Sequence, residues 1–135
     1  MQAYIAISFN KRKELQPELD AIKAIVSANE IIPFVFVDTY SYSPVQEKQM
    51  MQQAFAEIDK CSLLIAEVSE KAIGIGVELG YAKAKGKPVI YLRNREAEHS
   101  TTAAGASDYC ILYSNPEDLK KQLNEILQVL VPLLT

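Results

Sequence analysis

Two carboxylates and a pair of glycines share one short stretch of this chain, Ala66–Gly80, which reads AEVSEKAIGIGVELG. The apolar run Ser62-Leu63-Leu64-Ile65-Ala66 ends in Glu67, a polar loop follows, and Gly74-x-Gly76 then leads into a helical pattern carrying Glu78 near its start. A strand, a glycine turn and a helix N-terminus make a cradle for an anionic or hydroxylated small ligand. Two carboxylates facing one crevice suit glycosidic chemistry, in which one attacks and a second group handles protons. Each also has a plainer account. Glu78 could serve the helix dipole from a first turn, and Glu67 could bond a loop backbone or Lys71. The Gly74-x-Gly76 pair lacks the third glycine and the later acidic residue of a dinucleotide fingerprint.

Other residues gather around these two. Tyr4 sits in the first β-rich run, where a tyrosine fills a core unless its hydroxyl reaches the crevice. Ser8, at the end of that run, could donate to a phosphate or merely end the strand, and Asn10 lies just beyond it. Ser100-Thr101-Thr102 before Gly105 is either a hydroxyl-rich anion site or the cap of a short helix. His99 is expected to face solvent.

The elements that must position these residues alternate along the chain. Strands are expected at Ala3–Ser8, Ile31–Val37, Leu63–Val68, Pro88–Leu92 and Tyr109–Tyr113. Helices are expected at Pro17–Asn29, after a capping box at Ser43-Pro44-Val45-Gln46, at Val77–Lys85 with Gly86 as its stop, and after Asn115-Pro116. Five strands separated by helices imply an α/β fold, a flavodoxin-like, doubly wound parallel sheet of order 2-1-3-4-5. Ligands of such sheets sit beyond the carboxyl ends of the strands, which brings Ser8–Asn10, Asp38–Tyr42, Glu67–Gly76 and the Ser100 region to one rim.

Composition narrows the partners. At 135 residues and 49% hydrophobic, the chain is the size of one domain, residues 1–135, with one core. A net charge of −3 argues against nucleic-acid or anionic-membrane binding, and no apolar run approaches the roughly 18 residues of a membrane span. The basic residues of the N-terminus follow its apolar ones, unlike a signal peptide, so a cytoplasmic location is expected. Cys61 and Cys110 then read as buried free thiols. A single histidine and no His/Cys cluster leave little basis for a metal site.

The assembled residues resemble the nucleoside 2-deoxyribosyltransferase family, especially its 2′-deoxynucleoside 5′-phosphate N-hydrolase branch. The resemblance is strongest over Cys61–Leu92, an apolar strand followed by AEV, a short loop, GxGxELG and A-x-A-x-x-K. It runs on through His99–Gly105 and into Tyr4-Ile5-Ala6-Ile7-Ser8. It implies a nucleophilic role for Glu78, a strand-one tyrosine at Tyr4, a phosphate-contacting serine at Ser8, and a serine lent across a dimer interface at Ser100. Two positions depart from the pattern: Ala54 stands where the family carries an aspartate on the second helix, and Ala72 where the hydrolases carry a loop serine. The nearest carboxylate to Ala54 is Glu57, one helical turn on.

The expected function is cleavage of the N-glycosidic bond of a nucleoside or its 5′-monophosphate, by hydrolysis or transfer to a second base. Glu78 would act as nucleophile, kept ionised by the helix N-terminus behind it, with Tyr4 and Glu67 as catalytic partners. Ser8, Asn10, Gly74, Gly76 and Ser100 would hold substrate. No cofactor is required, and a homodimer or an assembly of dimers is expected. The alternative is a non-catalytic nucleotide-binding or signalling domain on the same scaffold. A phospho-receiver domain would need an acidic pair after strand one and an aspartate after strand three, which Ser8-Phe9-Asn10 and Glu67 do not supply.

Overall fold

A computed structural model describes residues 1–135. Its elements run β1 (Gln2–Ala6), α1 (Gln16–Ala28), β2 (Ile32–Val35), α2 (Phe36–Thr39), a 3-10 turn (Pro44–Gln46), α3 (Glu47–Lys60), β3 (Leu63–Glu67), α4 (Ile73–Ala84), β4 (Val89–Asn94), α5 (Thr101–Gly105), β5 (Tyr109–Tyr113) and α6 (Pro116–Leu134). The five strands are all parallel in the order β2-β1-β3-β4-β5. This is the flavodoxin-like doubly wound arrangement expected from the alternation of strands and helices.

Side-chain parity divides the interior into two layers. Ala3 and Ile5 of β1, Leu63 and Ile65 of β3, and Ile90 and Leu92 of β4 pack with α1 and α6. Tyr4, Ala6, Leu64, Ala66, Val89 and Tyr91 pack on the other face with α3 and α4. Successive strand residues point to opposite faces, so a residue's parity decides which helical layer it meets. Tyr4 therefore faces α3 and α4, whereas Glu67 shares the parity of Leu63 and Ile65.

The local signals produced the ends they predict. Ser43 and Gln46 form the reciprocal capping box ahead of α3, Asn115 accepts from the Asp118 N–H at 2.8 Å to cap α6, and Gly86 follows α4 at φ 72°. Ser100 caps the short helix α5, one of the two readings of Ser100–Gly105, while two elements differ from expectation. The Ile31–Val37 run breaks after Val35 into the short helix α2. The third major helix begins at Ile73 rather than Val77, so Gly74 and Gly76 belong to its first turn. Cys61 is buried as expected, but Cys110 is exposed. No helix is long and apolar enough to cross a membrane.

Candidate functional site

Parallel pairing sets the ends of β1 and β3 side by side, with Ala6 opposite Ala66. The loops that leave these strands face α2 and the start of α4 across a cavity of about 370 Å³. One wall is aromatic and sulfur-bearing, with Phe36, Tyr40, Tyr42, Met50 and Met51; the other carries Ser8, Asn10, Gly74 and Glu78. The aromatic wall continues inward as a ladder of rings. Phe36 lies 5.2 Å from Tyr40, 6.2 Å from Tyr42 and 6.3 Å from Tyr4, centroid to centroid.

Tyr4 and Glu78 meet behind this cavity. The Tyr4 hydroxyl donates to Oε2 of Glu78, which joins the middle strand of the switch to the second turn of α4. Glu78 is half-buried and lines the cavity. Burial raises its pKa from the ordinary 4.5 to about 7, with the Tyr4 hydrogen bond pulling the other way. Tyr4 is itself pushed far upward, first by burial and then by the neighbouring Glu78 charge. It therefore remains a proton donor throughout the accessible pH range. These facts correct the expectation that a helix N-terminus holds Glu78 ionised. No acidic residue occupies the first turn of α4, the dipole's influence fades within that turn, and desolvation dominates.

Glu67 lies apart from the cavity. It is fully buried, and its parity sends it to the α1 and α6 side of the sheet. There it accepts from the Tyr113 hydroxyl at 2.6 Å, the Ser69 N–H at 2.7 Å and the Ser69 hydroxyl at 3.0 Å. Burial raises its pKa while these donors lower it. The expectation that Glu67 shares a crevice with Glu78 is thus corrected: the sheet stands between them. Ser69 also accepts from the Asn94 N–H at 2.9 Å, so Glu67 anchors the β3 exit to β4 and β5.

The remaining expected residues divide between two cavities. Ser8, Asn10 and Gly74 line the one that holds Glu78. Gly76 and Ser100 line a neighbouring one of about 360 Å³ on the other side of the α4 start, which shares Ala72 and Ile75 with the first. Ser100 caps α5, accepting from the Ala103 N–H at 3.3 Å. Ser8 is buried and donates to Glu70 Oε1 at 2.7 Å while accepting from the Lys11 N–H at 3.3 Å. A Cβ built on Gly74 or Gly76 would meet nothing within 4 Å, so these glycines leave room at the mouths of the cavities. Ala54 lines the Glu78 cavity. Glu57, one turn on, is buried and held by Tyr40 at 3.0 Å, Gln53 at 2.9 Å and Lys60 at 3.3 Å. No group of three or more His, Cys, Asp or Glu is placed to hold a metal ion.

Residue types alone did not single out Tyr40, Tyr42 or Glu70. The rim segment Asp38–Tyr42 was legible from the topology, and the recurrence of aromatic residues in Phe34-Val35-Phe36 and Tyr40-Ser41-Tyr42 is the signal that identifies a ring-lined wall. Nothing in the sequence pairs Ser8 with Glu70.

Two curated relatives carry the name 2′-deoxynucleoside 5′-phosphate N-hydrolase 1. That of Thermofilum pendens is 34% identical over 56 residues, 42% of this chain and 39% of the relative. That of Syntrophotalea carbinolica is 35% identical over 60 residues, 44% of this chain and 37% of the relative. The matched part thus spans about two fifths of the length of these relatives. Among solved structures, the Clostridium botulinum CMP N-glycosidase BcmB superposes with a TM-score of 0.66 at 20% identity, covering 93% of this chain and 99% of that one. A 2-deoxyribosyltransferase from Bacillus psychrosaccharolyticus gives a TM-score of 0.66 at 12% identity, covering 89% and 90%. At these identities the two structures speak for the fold. The sequence pattern of the family described as nucleoside 2-deoxyribosyltransferase matches residues 3–125, nearly the whole length, and the chain belongs to that family.

Proposed function

We propose that this protein cleaves the N-glycosidic bond of a nucleoside or nucleotide, with Glu78 as the nucleophile. The observation that carries the reading is the Tyr4–Glu78 pair at the wall of a ring-lined cavity. Family membership and the activities named for the relatives support the same chemistry. A nucleobase stacks between the aromatic wall and the backbone of the α4 start, since base–ring stacking is tolerant of base identity. The ionised Glu78 carboxylate attacks the anomeric carbon, the carbon–nitrogen bond breaks, and the base leaves with the bonding electrons and takes up a proton. Water then resolves the glycosyl ester in a hydrolase, or a second base does so in a transferase.

Tyr4 is the positioning group. Its hydroxyl fixes one carboxylate oxygen and directs the other toward the cavity, and its donation favours the charged form that the attack needs. Glu67 serves the structure of the β3 exit in this account rather than the reaction. Proton transfer to the leaving base falls to a group other than the residue at 54, where alanine offers none. Tyr40, which lines the cavity and donates to the buried Glu57 at 3.0 Å, is the hydroxyl assigned to pass that proton.

The alternative, a non-catalytic nucleotide-binding domain, draws on the same Ala54. One assay separates the two. The protein is incubated with a panel of deoxynucleosides, ribonucleosides and their 5′-monophosphates, with and without an acceptor base, and free base is followed. Release of base supports the glycosidase reading, and acceptor dependence assigns transfer. Tight binding across the panel with no base released would favour the binding domain.

A further inference from the structure

A hydroxyl that hands a proton to a leaving base needs a source for its replacement, and a buried carboxylate stands behind this one. Tyr40 lines the Glu78 cavity, and its hydroxyl donates to Glu57 Oε1 at 3.0 Å. The same oxygen accepts from Gln53 Nε2 at 2.9 Å and from Lys60 Nζ at 3.3 Å. We propose that Tyr40, Glu57 and Lys60 form a proton relay between the cavity and solvent, with Glu57 as the positioning residue through which protons reach and leave the Tyr40 hydroxyl. The relay rests on the glycosidase reading, since it has a task only where a base departs.

Helical spacing builds this path. Gln53, Glu57 and Lys60 lie three or four residues apart along α3 and so share one face of it. Ala54, on the same helix, lines the cavity but offers no proton. Glu57 is buried, whereas the Lys60 side chain is 64% exposed. The contacts therefore run from the cavity wall through a buried carboxylate to the surface. Gln53 Nε2 also donates to the Tyr40 hydroxyl at 3.2 Å, which fixes the phenol in place. The plain alternative is a clasp that ties Tyr40, at the end of α2, to α3.

Tyr40 cannot complete a proton transfer alone. Its pKa is raised, first by the hydrogen bond to Glu57, then by desolvation and the Glu57 charge, so a tyrosinate beside this carboxylate is disfavoured. Each proton it gives must be replaced as it leaves. When the carbon–nitrogen bond breaks, the electron pair passes to the base, which takes the Tyr40 proton. Tyr40 takes one in turn through Glu57 Oε1. The Lys60 ammonium supplies that one, and the exposed amine exchanges protons with solvent. Water or a second base then attacks the anomeric carbon as the ester bond to Glu78 breaks. The proton lost by the attacker returns along the same path to Lys60 or, through it, to solvent.

The test compares wild type, Glu57→Gln, Tyr40→Phe and Lys60→Met on two leaving groups. One is the deoxynucleoside that the wild type cleaves fastest. The other is its counterpart with an activated base, a 5-fluoropyrimidine or a 7-methylpurine, which departs with little need of a proton. Glu57→Gln and Tyr40→Phe are expected to lower kcat on the ordinary base about 100-fold or more with KM little changed, and on the activated base less than about tenfold. The double variant should be no slower than either single one, because both remove the same step. Lys60→Met should show the same selective loss in smaller measure. Equal losses on the two leaving groups would make Glu57 a clasp and overturn the relay, and so would kcat near the wild type's on the ordinary base in any of the three variants. Tyr40→Phe, which keeps the ring that faces the base, carries the test alone should Glu57→Gln fail to fold. Wild-type cleavage with equal losses in the variants defeats only the relay, whereas a wild type that releases no base defeats the glycosidase reading and the relay with it.

Discussion

Glu78 is under two opposed demands, and the opposition is measurable. Burial favours the neutral acid, while attack on a sugar needs the carboxylate. With a folded pKa of about 7, the kcat/KM of base release should rise with pH through that region and then level. Tyr4→Phe removes the donor that lowers the value, so the rising limb should move to higher pH and the rate at pH 7 should fall; an unmoved limb would contradict the pairing. Stability follows the same linkage with the opposite preference. A carboxyl whose pKa is raised on folding contributes stability below about pH 4.5 and loses it as pH climbs to about 7. Glu78→Gln should therefore stabilise the protein at pH 8 by about 2–3 kcal/mol and have little effect at pH 4, as read by denaturant unfolding. Glu67 gives the contrasting case. Tyr113→Phe deprives a buried carboxylate of a donor and should cost about 1–3 kcal/mol of stability, with kcat unchanged once the protein is folded. A collapse of turnover in folded Tyr113→Phe would return Glu67 to the chemistry.

At the scale of elements, α4 holds the balance between stability and site. Gly74 and Gly76 occupy its first turn with open space where a Cβ would lie. Alanine is a better helix former than glycine by about 1 kcal/mol. Gly74→Ala should then raise the unfolding midpoint while weakening ligand binding, because the added methyl enters the cavity. Tighter binding in that variant would contradict the placement. The same helix shows what the sequence could and could not say. The motif around Glu78 stood out because its carboxylate follows a glycine turn between a strand and a helix at the sheet's ligand edge. The start of α4 did not, because two glycines lower helical propensity where the chain turns helical without a capping side chain. Glu67 was misplaced for a related reason. Its strand, Leu63–Glu67, is buried on both faces, and a strand apolar on both sides carries no alternation from which to tell one face from the other.

For the whole molecule, strand order was the most legible feature, since alternating elements, short connections and right-handed crossovers leave few arrangements. A homodimer or an assembly of dimers is an expectation drawn from the resemblance and from apolar helix faces larger than one sheet needs. We propose a dimer that covers the exposed start of α4, where Ile73 is 89% and Val77 44% exposed beside the cavity containing Ser100. Ile73→Glu should then lower the sedimentation coefficient to that of a monomer and reduce base release together. A wild-type monomer at micromolar concentration would rule the arrangement out.

Whether Glu78 forms the bond to the sugar is read from base release by Glu78→Ala beside the wild type, on the best substrate of the panel. Circular dichroism should verify an intact fold in both proteins. Turnover by Glu78→Ala is expected to fall about 1,000-fold or more. Base release by folded Glu78→Ala at a rate near the wild type's would contradict Glu78 as the nucleophile.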